Sequence, residues 1–265
     1  MPLFSIFILV FIFLFSFFGV YIYEVDAYKL DASVILIGPS SDYLLGTDRL
    51  GRDILARLMQ GGQVSLIIGV GSAFIASIVG LFLGSLAGYL RANVDKAFIV
   101  VVDLFLTFPT FFLLLALVSY VNASAWVLIV IISITGWMTT ARLIRSESFK
   151  ITSQPYIKIL NIARVKKMKI LFKYYAPILA PIYFVSFTFG VGGAILAESG
   201  LSFLGLGIVA PQMSWGTIIS GGKDVVEIAW WVSFFPGLMI FLVTFSLINI
   251  SNYLQQLTNK KQIQN

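Results

Sequence analysis

The chain contains a series of apolar runs, each long enough to cross a lipid bilayer. Residues 3–23 form the first run, which carries no charged side chain. A helix rises about 1.5 Å per residue, so a run of this length spans the hydrocarbon core of about 30 Å. A cleaved signal peptide is the alternative, but the run lacks a basic start and a small-residue cleavage site. We therefore expect it to be the first transmembrane helix.

Five further apolar runs follow, and each is predicted to be a membrane span. Together with the first run they predict an all-α integral membrane protein with six transmembrane helices. The overall composition agrees, since 59% of the residues are hydrophobic and only 11% are charged. The five runs are Val64 to Leu90, Ala97 to Val121, Ala125 to Ala141, Tyr174 to Ala197 and Ile228 to Leu254.

The composition also excludes most enzyme chemistry. The 265 residues include no cysteine and no histidine, which removes disulfides, zinc sites built on those residues, and Ser-His or Cys-His catalysis. No phosphate-binding loop of the G-x-x-x-x-G-K-[ST] kind is present, and no lysine lies inside a predicted span to serve as a buried base. We expect a protein that is not an enzyme and holds no cofactor or metal.

The distribution of basic residues predicts the orientation in the membrane. With both termini in the cytoplasm, 13 of the 18 Lys and Arg residues lie on the inner side, as the positive-inside rule requires. Nine of them fall between Arg142 and Lys173. The net charge of +6 therefore reflects orientation, and no surface for nucleic acid is expected. Membrane lipid is an expected contact, and residues 258–265 form a predicted cytoplasmic tail.

Small residues recur at every fourth position in two of the spans. Such a stripe allows another helix to approach closely, and packing contacts must hold helices together where lipid provides no hydrophobic drive. We expect these stripes to be helix contacts. They comprise Ser72, Ala76, Gly80, Gly84 and Gly88 in the second span, and Ser186, Gly190 and Ala194 in the fifth.

The third span contains two unusual residues. Asp103 is an acid inside an apolar run, and we expect it to reach the headgroups or another helix rather than to act chemically. Pro109 removes a backbone hydrogen bond and is predicted to bend the helix.

A short helix is predicted in the middle of the basic segment. Ser153-Gln154-Pro155 is typical of a helix start, because proline fits the first turn. Tyr156, Ile159, Leu160 and Ala163 then fall on one apolar face. The segment is either a basic loop that obeys the positive-inside rule, or a docking helix whose face is covered by lipid headgroups or by a groove on a partner protein.

The spans carry too few charges for a selective channel. Only Asp103 and Glu198 approach them, and no filter loop is present. Transport energised by a separate chain fits better, with a stand-alone channel as the alternative.

Two motifs carry a resemblance to a known family. The sequence resembles the C-type permease subunits of bacterial dipeptide, oligopeptide and nickel ABC importers, which are binding-protein-dependent transport inner membrane components. The similarity extends from about Gly46 to Leu254. The motifs are Gly46-Thr47-Asp48-Arg49-Leu50-Gly51-Arg52-Asp53 and Ala194-Ile195-Leu196-Ala197-Glu198-Ser199-Gly200-Leu201-Ser202-Phe203-Leu204-Gly205-Leu206-Gly207, followed by Pro211 and Ser214-Trp215-Gly216.

This resemblance implies a type I ABC importer permease fold with a cytoplasmic coupling helix. Residues 1–62 would hold the first helix and an external loop, and residues 63–257 the transporter domain, with a coupling loop at about 146–176. The implied partners are a paralogous permease subunit forming a heterodimer, two cytoplasmic ATPase subunits and an extracytoplasmic substrate-binding protein. The location would be the bacterial cytoplasmic (inner) membrane and the cargo peptides, with nickel or a metal complex as the alternative.

The basic segment aligns with the loop that docks the coupling helix into the ATPase. Arg145, Glu147, Tyr156, Phe172, Pro177 and Pro181 match in register. The core departs from the family: Lys158-Ile159-Leu160 replaces the usual Glu-Ala-Ala, and Arg164 replaces a glycine. Either the partner is adapted to this sequence, which we favour, or coupling is weakened. The expected coupling residues are Pro155, Tyr156, Lys158, Ile159, Leu160, Ala163 and Arg164.

Two functions remain open on the outer side. The charged residues of the external motif either pin the loop by salt bridges or face the binding protein, and we favour the former. Glu198 and Ser199 are expected at the translocation path or outer gate, while Glu198 alternatively ties the Gly-rich loop that follows it.

Overall fold

The computed structural model describes residues 2–263, and side chains for residues 2–258. Within that range the chain is helical, without a β-strand, and only an isolated bridge joins Thr47 and Asp53. The helices are α1 (Leu3–Ile22), α2 (Ile54–Leu90), α3 (Ala92–Thr107), α4 (Thr110–Val118), α5 (Ala125–Thr152), α6 (Pro155–Ile162), α7 (Lys167–Ile170), α8 (Ala176–Phe203), α9 (Trp215–Gly222) and α10 (Trp231–Ile263).

Five helical segments are long and apolar enough to cross a membrane. They are α1, α2, α5, the continuous stretch from α7 through α8, and α10. A π-helical turn at Leu171–Tyr175 joins α7 to α8. The predicted third span corresponds to the bent pair α3 and α4, which gives a sixth span if the pair is counted as one.

The third span is broken rather than merely bent. Its two halves, α3 and α4, meet at an angle of 80°. Phe108, directly before Pro109, has an extended backbone conformation, because the proline ring disfavours a helical conformation in the residue before it. The predicted bend at Pro109 is confirmed, and it is sharper than a continuous span would allow.

Two helices extend beyond the apolar runs that predicted them. Helix α8 continues to Phe203, so Glu198, which directly follows the fifth run, lies inside it. The last helix starts at Trp231 and runs to Ile263, so most of the predicted tail continues α10. Gln264 and Asn265 lie outside the described residues.

The small-residue stripe of α2 packs against α5, as predicted. A Cβ atom added at Gly84 would lie 2.4 Å from the Ala141 carbonyl oxygen. One at Gly88 would lie 2.5 Å from the Ser148 Cβ, and one at Gly80 would lie 2.8 Å from the Thr140 Cβ. The two backbones are therefore so close that only glycine fits between them.

Two cores flank this helix pair at opposite ends. At one end, Trp215 of α9 is fully buried and its indole N–H donates to the Leu58 carbonyl oxygen at 2.9 Å. At the other end, the buried side chains Ile144, Ile157 and Ile170 form one apolar cluster with their neighbours. The short helices α9 and α6 are thus each anchored to the membrane helices by buried side chains.

Candidate functional site

Helix α6 begins at Pro155, as the sequence predicts, with Gln154 in the extended conformation before it. Ile157 is fully buried in the cluster at this end of the bundle. The Tyr89 hydroxyl at the end of α2 also donates to Asn161 Oδ1 at 2.6 Å. One apolar side chain and one hydrogen bond therefore fix α6 against the ends of the membrane helices.

The opposite side of α6 presents apolar side chains to the surroundings. Ile162 is 81% exposed, Ile159 64% and Tyr156 41%. Leu160 of the predicted apolar face is partly buried and packs against the cluster that contains Ile157. Ile162 was missed, although its place three residues after Ile159 could have indicated it.

The end of α6 is closed by a Schellman motif. The Val165 N–H donates to the Leu160 carbonyl oxygen at 3.1 Å, and the Arg164 N–H to that of Asn161 at 3.0 Å. Arg164 has φ of +52°, the left-handed conformation in which glycine is favoured. The glycine that the family resemblance implies at this position would adopt this conformation without strain, whereas this chain holds an arginine there.

Exposed cations surround α6. All six Lys and Arg side chains between residues 158 and 173 are exposed, and none is in an ion pair of the described structure. No acidic residue occurs between Glu147 and Glu198. The six cations are Lys158, Arg164, Lys166, Lys167, Lys169 and Lys173.

Arginines tie the helices around this site together. Arg91, in the tight turn between α2 and α3, donates to the Phe149 carbonyl oxygen at 3.0 Å and to Ser153 Oγ at 2.7 Å. Arg145 of α5 binds Asp95 of α3 through two nitrogens. These contacts connect the chain leading into α6 with α2 and α3.

Asp103 makes the interhelical contact that the sequence predicts. Its carboxylate accepts a hydrogen bond from Arg142 of α5, and both side chains are more than half exposed.

The external motif forms a buried turn before α2. Asp48 accepts hydrogen bonds from the backbone N–H groups of Leu50 and Arg52 at 2.8 and 3.1 Å. It also forms salt bridges with Arg52 at 2.7 Å and Arg57 at 3.5 Å. Because Asp48 is only 5% exposed, its charge is used inside the loop. This geometry agrees with the interpretation that the motif pins the loop.

Two positions of this motif require glycine. Gly46 and Gly51 have φ of +78° and +70°. A Cβ at Gly51 would lie 1.8 Å from the Asp31 carbonyl oxygen, and one at Gly46 would lie 2.6 Å from Trp231 Nε1. Both the left-handed conformation and the close approach of a neighbour require glycine.

Thr47 and Asp53 join the turn to the helices. The Thr47 carbonyl oxygen accepts from the Trp231 indole at 3.1 Å, and Asp53 accepts from the Ala56 N–H at 2.7 Å as the N-cap of α2. The Tyr23 hydroxyl, beyond the end of α1, donates to Asp53 at 3.0 Å. Burial, and then the Asp53 charge, raise the pKa of Tyr23 to about 12, so the hydroxyl keeps its proton.

Glu198 is fully buried among serine hydroxyls. It accepts from Ser202 at 2.7 Å, and from Ser65 and Ser199 at 3.4 Å each. Ser65 Oγ in turn accepts a hydrogen bond from the backbone N–H of Trp215 at the start of α9. Glu198 thus links α8, α2 and α9, in agreement with the alternative in which it ties the Gly-rich loop. Ser199 is 9% exposed beside it.

A membrane-level groove lies between α2, α5 and α8, with a cavity of about 730 Å³. Its walls combine small residues with hydroxyl groups, and its charged lining residue is Arg142. The fifth-span stripe of Ser186, Gly190 and Ala194 lines it as well. Gly190 also packs on α2, where an added Cβ would lie 3.2 Å from the Ala73 Cβ.

A bundle of helices long and apolar enough to cross a membrane, with a groove between them and a short helix flanked by exposed cations, defines a multi-pass membrane protein. The chain belongs to the family of binding-protein-dependent transport system inner membrane components, whose family model matches residues 80–262.

Relatives in several bacteria are similar over most of the chain. The dipeptide transport system permease protein DppC of Bacillus subtilis (strain 168) is 30% identical, over 97% of this chain and 81% of that protein. DppC of Alkalihalophilus pseudofirmus is 34% identical, over 85% of this chain and 74% of that protein. The oligopeptide transport system permease protein OppC of Haemophilus influenzae is 28% identical over 96% and 81%.

Solved structures share the fold. Two crystal forms of the inward-facing MetNI methionine ABC transporter, CY5 native and CY5 SeMet soak, match with TM-scores of 0.57 and 0.59 at 17% identity. The match to the native form covers 75% of this chain and 96% of the MetNI chain. The chain therefore has the type I ABC importer permease fold that the sequence predicts.

Proposed function

We propose that this chain forms half of the translocation path of an ATP-driven peptide importer in the bacterial cytoplasmic membrane. The observation that carries this proposal is its similarity to the B. subtilis dipeptide permease over 97% of its length. The chain is non-catalytic, and ATP is hydrolysed on two separate cytoplasmic subunits. A substrate-binding protein delivers the cargo to the outer side.

The groove between α2, α5 and α8 is half of the path. Its hydroxyl groups offer hydrogen bonds to a polar cargo, while its small residues leave room for side chains of different sizes. A paralogous permease subunit closes the open side, so that the path runs between two similar chains. Alternating access then follows from the movement of the two subunits against each other.

Helix α6 transmits the movement of the ATPases. Both chain termini and α6 lie on the cytoplasmic side, which the distribution of basic residues supports. The coupling residues are the exposed side of α6, and Ile157 and the Tyr89 hydrogen bond carry force from it into α2 and the inner cluster. Glu198 and Ser199 hold the outer loop next to the path, so movement of α8 reaches the outer gate.

Reconstitution in liposomes tests this function. We expect labelled di- and tripeptides to enter only when this chain is combined with its paralogous permease, the two ATPases, the binding protein and ATP. Uptake of nickel or a nickel complex instead of peptides would identify the alternative cargo. Ion or peptide flux through this chain alone would show a channel and contradict the proposal.

A further inference from the structure

We propose that the ATPase cleft that receives α6 has an apolar floor and an acidic rim, which makes this permease specific for an ATPase of that charge. The inference rests on the proposed function and adds the chemistry of the partner surface.

The apolar floor follows from the exposed side of α6. Ile162 and Ile159 lie one turn apart and are 81% and 64% exposed. Ile157 on the other side is already buried, so α6 cannot rotate to hide the two isoleucines without losing that contact. An apolar pair held outward on an anchored helix is typical of a helix that lies in a groove of another protein.

The length of α5 argues against the lipid hydrocarbon as the cover of this pair. Helix α5 spans Ala125–Thr152, about 42 Å at the usual rise per residue, whereas the hydrocarbon core is about 30 Å thick. Trp126 at its outer end is 75% exposed, as expected for a residue at the outer interface. With an average tilt of about 20°, a hydrocarbon core that begins at Trp126 ends about 10 Å before the end of α5, from which α6 follows.

The acidic rim follows from the charges around the same pair. Lys158 precedes Ile159, and Arg164 follows Ile162 by two positions, so one exposed cation stands at each end of the apolar pair. Neither has an acidic partner among the described residues, and the four lysines that follow are also exposed. A basic rim would repel this surface, whereas an acidic one complements it.

Arg164 provides an independent indication. It holds the left-handed C′ position of a Schellman motif, where glycine is favoured and an arginine is strained. Its side chain is exposed, and no ion pair among the described residues compensates the strain. A contact with an acidic partner explains why a charged residue occupies this position.

Charge reversal in the intact transporter tests the inference. The variant Lys158→Glu with Arg164→Glu would be co-expressed with the paralogous permease and the two ATPases, and ATPase retention measured during purification through a tag on this chain. We expect retention to fall at least about tenfold, because like charges would meet across the rim. Retention by the unaltered complex should also fall as salt is raised, and this dependence should weaken in the variant.

Three further variants separate the possible causes. Lys29→Glu with Lys223→Glu reverses two exposed cations on the outer loops and should leave retention unchanged. Lys158→Arg with Arg164→Lys keeps both charges and should retain the ATPase. Ile162→Asn removes the apolar contact without adding a charge, so its loss of retention reports docking whatever the charge of the rim.

The outcomes are distinguishable. If Ile162→Asn releases the ATPase and the charge reversal does not, α6 docks as proposed but the acidic rim is wrong. If neither releases it, the docking role of α6 in the proposed function fails as well. If the effect of charge reversal follows the anionic lipid content of the nanodisc instead of the ATPase, α6 binds the membrane surface and the inference is overturned.

Discussion

At the scale of single residues, two buried carboxylates hold loops of this chain in place. Asp48 organises the turn before α2, and Glu198 links three helices through serine hydroxyls. The sequence indicated that both were important, since they lie in the two family motifs. It could not predict their partners, because Ser65 lies 133 positions before Glu198 and only the folded chain brings them together.

Replacing Glu198 by alanine should destabilise the protein. The change removes the acceptor of buried hydroxyls and leaves a void, which we expect to cost about 2 kcal/mol and to lower the unfolding midpoint in detergent by about 5 °C. Glu198→Gln keeps an acceptor and should cost less. Glu227→Ala, at an exposed position, is the control. Equal midpoints for Glu198→Ala and this control would contradict the role of Glu198 as a link.

Replacing Gly51 by alanine should disrupt the external turn. The added Cβ would lie 1.8 Å from a backbone oxygen at a position with positive φ, so we expect a loss of about 2 kcal/mol or more. The matched control is Gly221→Ala, where a Cβ has nothing within 4 Å. Thermal unfolding of the two variants gives the comparison, and a turn that tolerates alanine at Gly51 would show similar midpoints.

At the scale of helices, the sequence predicted contacts between helices better than it predicted where helices end. The stripe on α2 predicted the close approach that α5 makes, and Ser153-Gln154-Pro155 predicted the start of α6. The Schellman motif after α6 was not predicted, because arginine hides a left-handed position that glycine would have revealed. The break between α3 and α4 was underestimated, since one proline can either kink or end a helix.

The contact between α2 and α5 should not tolerate a methyl group. In Gly84→Ala the new Cβ would lie 2.4 Å from the Ala141 oxygen, so the helices must separate, at a cost of about 1–3 kcal/mol. Gly237→Ala adds the same group in α10 with nothing within 4 Å. We expect the unfolding midpoint to fall only in the first variant, and a reversed order would contradict the packing described here.

At the scale of the whole molecule, apolar runs predicted the six spans, and the two motifs predicted the family to which the chain belongs. The groove was not predicted. Its lining comes from residues far apart in sequence, and in the proposed function a second chain closes its open side. Likewise the sequence could not predict what covers the exposed face of α6, because the cover lies outside this chain. It left lipid and protein as alternatives.

The most direct test of the account uses the absence of cysteine from the chain. Ile162→Cys introduces a single thiol on the exposed side of α6, and Ile228→Cys introduces one at a position 71% exposed near the outer end of α10. In membranes holding the whole transporter, we predict that a thiol-reactive crosslinker joins the first variant to an ATPase subunit and leaves the second unjoined. An Ile162→Cys variant that reacts only with lipid, or only from the outer side, would contradict the account.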